Sequence, residues 1–142
     1  LNLVFSFQKN IKVISEANNT DHWTKKNKRH QQQQFLIRCA WNESEKKIVP
    51  PCTVKITRLG VRELDWSNLV YALKWIQDEL AACILPEKVV HYTTKNGTVK
   101  SNKGFADSDK RITWLYEQEW YPISAVRVEI YQEQSQAHEE CA

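Results

Sequence analysis

Apolar and polar residues alternate over positions 52–59, Cys-Thr-Val-Lys-Ile-Thr-Arg-Leu, and this period of two predicts a half-buried strand. Residues 111–119 and 125–131 alternate in the same way, around Ile-Thr-Trp-Leu-Tyr and Val-Arg-Val-Glu-Ile, and predict two strands joined near Pro122. Residues 4–7 and 11–14 predict two short strands or one bulged strand, with Ile11 and Val13 on one side. Between them and the next element, residues 15–20 have turn chemistry. Residues 23–42 contain neither Gly nor Pro and predict a helix whose first half is basic and whose second half is apolar, with Gln31–Gln34 as a polar run inside it. A second helix is predicted over 66–84, where Leu69, Leu73, Ile76 and Leu80 fall at helical spacing and Pro86 marks the end. Residues 87–103 predict a long loop or a hairpin, with 89–92 against 97–99. The order β, α, β, α, β, β predicts a single α+β domain over 1–132, a mixed sheet flanked by two helices, followed by a polar tail over 133–142.

The chain of 142 residues is 42% hydrophobic, with six Trp, five Tyr and four Phe, so it can build a core and is not a disordered chain. Its three glycines, Gly60, Gly97 and Gly104, write no Gly-rich phosphate loop, which argues against a nucleotide cofactor. Four cysteines without a Cys-x-x-Cys spacing predict thiols rather than a zinc site. The opening Leu-Asn-Leu-Val-Phe-Ser-Phe is too short for a signal peptide and lacks a basic lead. No apolar run reaches the length of about 18 residues that a membrane span needs. A cytoplasmic protein is the expectation.

Charge changes the picture more. Residues 1–63 carry twelve Lys/Arg against five Asp/Glu, while residues 64–142 carry eight against twelve. A basic half beside an acidic half suits a polyanion-binding surface next to a cation site, although ordinary charge scatter gives the same sums. Two acidic places stand out. Asp65 lies at a strand–helix junction, where an N-cap or a metal ligand would sit. Asp107 and Asp109 lie in the loop that opens a strand, where they supply oxygens to a divalent ion or simply make a polar turn. Lys74 and Asp78 are spaced i,i+4 on the second helix, as in an ordinary surface pair.

Taken in order, these pieces resemble the RusA-like Holliday-junction endonucleases, in particular their phage and prophage branch. Its pattern of Ser-Glu-Ala-Asn followed by His-Trp is met by residues 15–18 with His22 and Trp23. The pattern R-x-L-D-x-D-N-L-x-x-A-L-K-x-x-x-D is met by Arg62, Leu64, Asp65, Asn68, Leu69, Ala72, Leu73, Lys74 and Asp78. Gly104, Asp107, Asp109, Arg111, Ile112, Trp114, Tyr116 and Gln118 follow the next pattern, and Val126-Arg127-Val128-Glu129-Ile130 the last. The resemblance covers roughly residues 10–131. Ser67 stands where the pattern has a second aspartate, Tyr71 where the prototype has its helix lysine, and residues 86–103 read as an insertion.

The resemblance implies a magnesium-dependent endonuclease that resolves branched DNA, four-way junctions above all, as a homodimer matching the two-fold symmetry of the junction. It implies Asp65 and Asp109 as ligands of Mg²⁺ (or Mn²⁺), with Asp107 and Asp78 as additional ligands. Lys74 would neutralise charge on the phosphate, and Asn68 would orient a ligand or touch that phosphate. Lys25, Lys26, Lys28 and Arg29, with Asn18 and His22 near the entrance, would hold the DNA backbone. Ser67 implies a weaker metal site, and the rival reading is a DNA-binding relic of the same fold that no longer cuts. A module binding RNA or protein is a third reading.

Overall fold

The structure, a computed structural model, describes residues 1–17, 19–102 and 106–133. Four strands form one sheet: β1 (Asn2–Lys9), β2 (Cys52–Gly60), β5 (Ile112–Trp120) and β6 (Ala125–Gln132). Their order is β1-β6-β2-β5. β6 runs antiparallel to both β1 and β2, and β2 runs parallel to β5 from Cys52 opposite Ile112 to Gly60 opposite Trp120. The sheet is therefore mixed, and the chain is an α+β domain.

β2 alternates in burial from Cys52 to Ile56 and is buried throughout from there to Gly60. Val54, Ile56, Val128 and Ile130 are fully buried and face the helices. Helix α1 (Trp23–Ser44) and helix α3 (Lys74–Ile84) pack against each other over them, with Ile37, Ile76 and Leu80 in the shared core. β2 and β5 are parallel, so the chain between them must cross over, and it does so through α2 (Trp66–Ala72) and α3. A short 3₁₀ turn over Pro86–Lys88 follows, and then the hairpin of β3 (Val90–Thr93) with β4 (Val99–Asn102). The hairpin alternative is the one realised, with 90–93 paired to 99–102 rather than 89–92 to 97–99. Its tip turns at Gly97, whose φ of +80° favours glycine.

Two expectations need correction. The helix predicted over 66–84 is two helices that meet at Leu73, a fully buried residue (φ −91°, ψ −1°) at the edge of the α region. Residues 11–14 form no strand. The Val13 N–H donates to Ser124 Oγ at 3.2 Å, and Ser124 Oγ donates to the Ile11 carbonyl at 2.8 Å. The Lys12 carbonyl accepts from Gln33 Nε2 at 2.8 Å. Side chains thus satisfy backbone groups that a neighbouring strand would otherwise serve, and Ile11 and Val13 are buried all the same.

Candidate active-site cleft

A cleft of about 510 Å³ opens where the crossover helices meet β5, with Trp66, Ser67, Tyr71 and Lys74 on the helix side and Asp107 and Tyr116 opposite. Two acids 29 residues apart in the chain meet beside it. Asp78 lies on α3 one turn after Lys74, whose ammonium is 3.6 Å from its carboxylate. Asp107 reaches the same place from the loop before β5, and that loop is pinned because the Trp114 indole N–H donates to the Asp107 carbonyl at 3.0 Å. Burial pushes the Asp78 carboxyl up. Lys74 pulls it back, but the like charge of Asp107 and hydrogen bonding to it raise it further, to about 6. Oδ1 of Asp78 is buried without a hydrogen-bond partner. The Tyr116 hydroxyl donates to Gln77 Oε1. Its pKa is raised, first by burial and also by the Asp107 charge, against the pull of the Gln77 bond.

The other acids have different surroundings. Asp65 occupies the N-cap position of α2, exposed, and its side chain makes no capping bond. Asp109 is clamped by Arg111, with Oδ1 3.1 Å from Nε and Oδ2 3.2 Å from Nη2, and Lys88 stands 3.6 Å away. The hydrogen bonds from Arg111 hold its pKa down to about 2. Among the described residues, no three or more His, Cys, Asp or Glu side chains gather in a metal-binding group, whereas Asp78 and Asp107 interact as a pair. Asn68 is half-buried on α2.

On α1, Lys25 and Lys28 line a groove of about 350 Å³ together with Lys12 and Gln32. Lys25 also stands 3.6 Å from Asp21, and Lys26 is half-exposed nearby. Arg29 also borders this groove, but its guanidinium turns inward. Its Nε and Nη2 donate to Glu16 at 2.7 and 2.6 Å, and only 7% of its side chain is exposed. Its guanidinium is committed to the core rather than offered to a phosphate. His22 is the N-cap of α1 and accepts the Thr24 N–H at 3.2 Å. Asn18 lies outside the described residues.

Sequence reasoning passed over Gln77 as part of this cleft, and Tyr116 entered it only through the resemblance. The placement of Tyr116 on the helix-facing side of β5, in step with Ile112 and Trp114, was the available clue. No protein-family model, curated protein or solved structure matches the chain. No helix among the described residues is long and apolar enough to cross a membrane.

Proposed function

We propose that this chain is a divalent-metal-dependent endonuclease of branched DNA, with its centre at Asp78 and Asp107. The observation that carries the reading is the meeting of these two carboxyls beside Lys74 at the edge of an open cleft. Two carboxyls that raise each other's cost of ionising, one of them mostly buried, form an arrangement that a small cation relieves. Mg²⁺ commonly takes one or two carboxylates and keeps several waters, so a pair is enough to hold it. Asp78 and Asp107 would be its ligands, and Ser67 lines the same cleft. When bound, the ion would lower the pKa of a coordinated water and draw charge from the phosphate.

The protein's own groups have separate tasks. Lys74, with 52% of its side chain exposed, can reach a phosphate as well as Asp78 and would neutralise charge that builds up during phosphodiester hydrolysis. Tyr116 on β5 and Gln77 on α3, bonded to each other, tie the two sides of the cleft together. Lys25, Lys26 and Lys28 would bind the DNA backbone, and the two-fold symmetry of a four-way junction calls for a homodimer.

The test is cleavage of a labelled four-way junction across a Mg²⁺ and Mn²⁺ series by wild type, Asp78→Asn and Asp107→Asn, with sedimentation to read the dimer. Metal-dependent cutting that both variants lose supports the nuclease. The alternative of a non-cutting junction binder draws on Ser67, a neutral group where an acid would strengthen the site. Junction binding that is unchanged by Mg²⁺, with no product from wild type, decides for it.

A further inference from the structure

The cleft is more aromatic than phosphate binding requires. Trp66, the first residue of α2, is 63% exposed, and Tyr71 one turn later is 47% exposed. Large apolar side chains left open at a cleft rim mark a ligand surface more often than scattered single ones do. Tyr116 meets the Trp66 indole edge-on, with ring centroids 6.0 Å apart and planes at 79°, and so steadies the ring while most of it stays open to solvent. Tyr71 is braced in the same way by Trp75, at 5.4 Å and 78°. Lys74, a cation, shares this rim, so flat aromatic faces and a positive charge lie within one cleft.

We infer that Trp66 is a stacking platform for one unpaired nucleobase, whose flanking phosphate meets Lys74. This rests on the reading above only in that nucleic acid enters the cleft. A base in a continuous duplex has both faces covered by its neighbours, so a tryptophan can take only a base that is out of the stack, at a branch point, bulge or single-stranded end. The combination of an aromatic face with a nearby cation is what such a nucleotide offers partners to, and a cleft of about 510 Å³ suits a single ligand of that size rather than a duplex. The substrate class is thus DNA carrying an unpaired base next to the scissile phosphate.

The experiment measures binding by fluorescence anisotropy with the full chain in EDTA, so that no strand is cut. The probes are a junction with one unpaired thymine at the branch, the same junction with an abasic site there, and a fully paired duplex of equal length. For the thymine junction, Trp66→Ala should weaken binding about tenfold, while Trp66→Phe should stay within about threefold of wild type because it keeps a stacking ring. Wild type should lose the same factor on the abasic junction, and Trp66→Ala should lose nothing further. Duplex binding should be equal for all three proteins, each checked for folding by circular dichroism. Equal preference for thymine over the abasic site in wild type and Trp66→Ala overturns the inference, as does a change in sedimentation of Trp66→Ala without a change in DNA binding, which would give the patch to a second copy of the chain. Absence of DNA binding in wild type overturns both this inference and the nuclease. Base-dependent binding without Mg²⁺-dependent cutting overturns the nuclease alone.

Discussion

The imidazole of His30 lies flat on the indole of Trp75, with ring centroids 3.5 Å apart and planes 9° from parallel. Its Nε2 is 3.2 Å from Glu16, so one side chain connects α3 to the buried Glu16–Arg29 pair. Burial pushes the His30 pKa below its ordinary value, against the pull of Glu16; Arg29 and Lys26 add to the lowering. The unfolded chain therefore takes up this proton at a higher pH than the folded one. The contribution of a neutral His30 is full above about pH 6.5 and declines as the pH falls below it. Wild type should lose Tm more steeply than His30→Phe between about pH 7 and pH 5, since Phe keeps a ring on Trp75 without titrating. Parallel Tm profiles for the two proteins would refute this.

Glu16 and Arg29 are both nearly buried, with 2% and 7% of their side chains exposed. The Arg29 bonds and the nearby His30 overcome the burial that would raise the Glu16 carboxyl, and its pKa is lowered overall. Glu16→Gln leaves a guanidinium in the core with only Asp21, 3.4 Å away, as an acidic partner. The expected loss is about 3 kcal/mol in urea unfolding. Replacing both residues with apolar ones should recover much of it. A single variant as stable as wild type would mean that water reaches the pair.

Asp78 strains the fold for the sake of its site. Its carboxyl is raised from an ordinary 3.8 to about 6, so the folded state binds the proton more tightly than the unfolded chain does. Without metal, the penalty is absent at low pH, grows as the pH rises from about 4, and is complete above about 6. Asp78→Asn should stabilise the metal-free protein by on the order of 1–3 kcal/mol at pH 7 and abolish any rise of Tm with Mg²⁺. A Tm that responds to Mg²⁺ equally in the variant would move the ion away from this pair.

Ser67 lines the same cleft as Asp107. Ser67→Asp adds a carboxylate in the first turn of α2, where the helix dipole favours it. Calorimetry should find tighter binding of Mn²⁺ and Mg²⁺, by about tenfold for one added hard ligand, and junction cutting should increase. Unchanged affinity would mean that the side chain at 67 points past the ion.

Much of the fold could be read from period alone. The strands at Cys52–Gly60, Ile112–Trp120 and Ala125–Gln132 lie within about a residue of the alternating stretches that predict them. α1 was also legible, although its buried stripe, Arg29, Gln33, Ile37 and Ala40, is half polar. Its polar members are tolerable there because Glu16 and the Lys12 carbonyl receive them. Residues 11–14 misled for a related reason: their apolar alternation reports burial, whereas strand pairing depends on a neighbour, and here Ser124 and Gln33 stand in for one. The site was legible as a set of residues and not as a geometry. Asp78, Asp107 and Lys74 were all candidates, but the parallel crossover that joins them leaves no local mark. The clamp on Asp109 is local, from Arg111 two residues on, and could have been anticipated from Asp-Lys-Arg.

The hairpin between α3 and β5 offers the experimenter a port. Its tip, around Gly97, turns in open space, with nothing within 4 Å of where a Cβ would stand, and Lys95 and Asn96 beside it are exposed. Lengthening such a tip adds little closure entropy, about 0.6 kcal/mol for each doubling. A dye or affinity tag spliced in after Asn96, with Gly97 retained for its positive φ, would report on the chain while leaving the four-stranded sheet and both walls of the cleft intact.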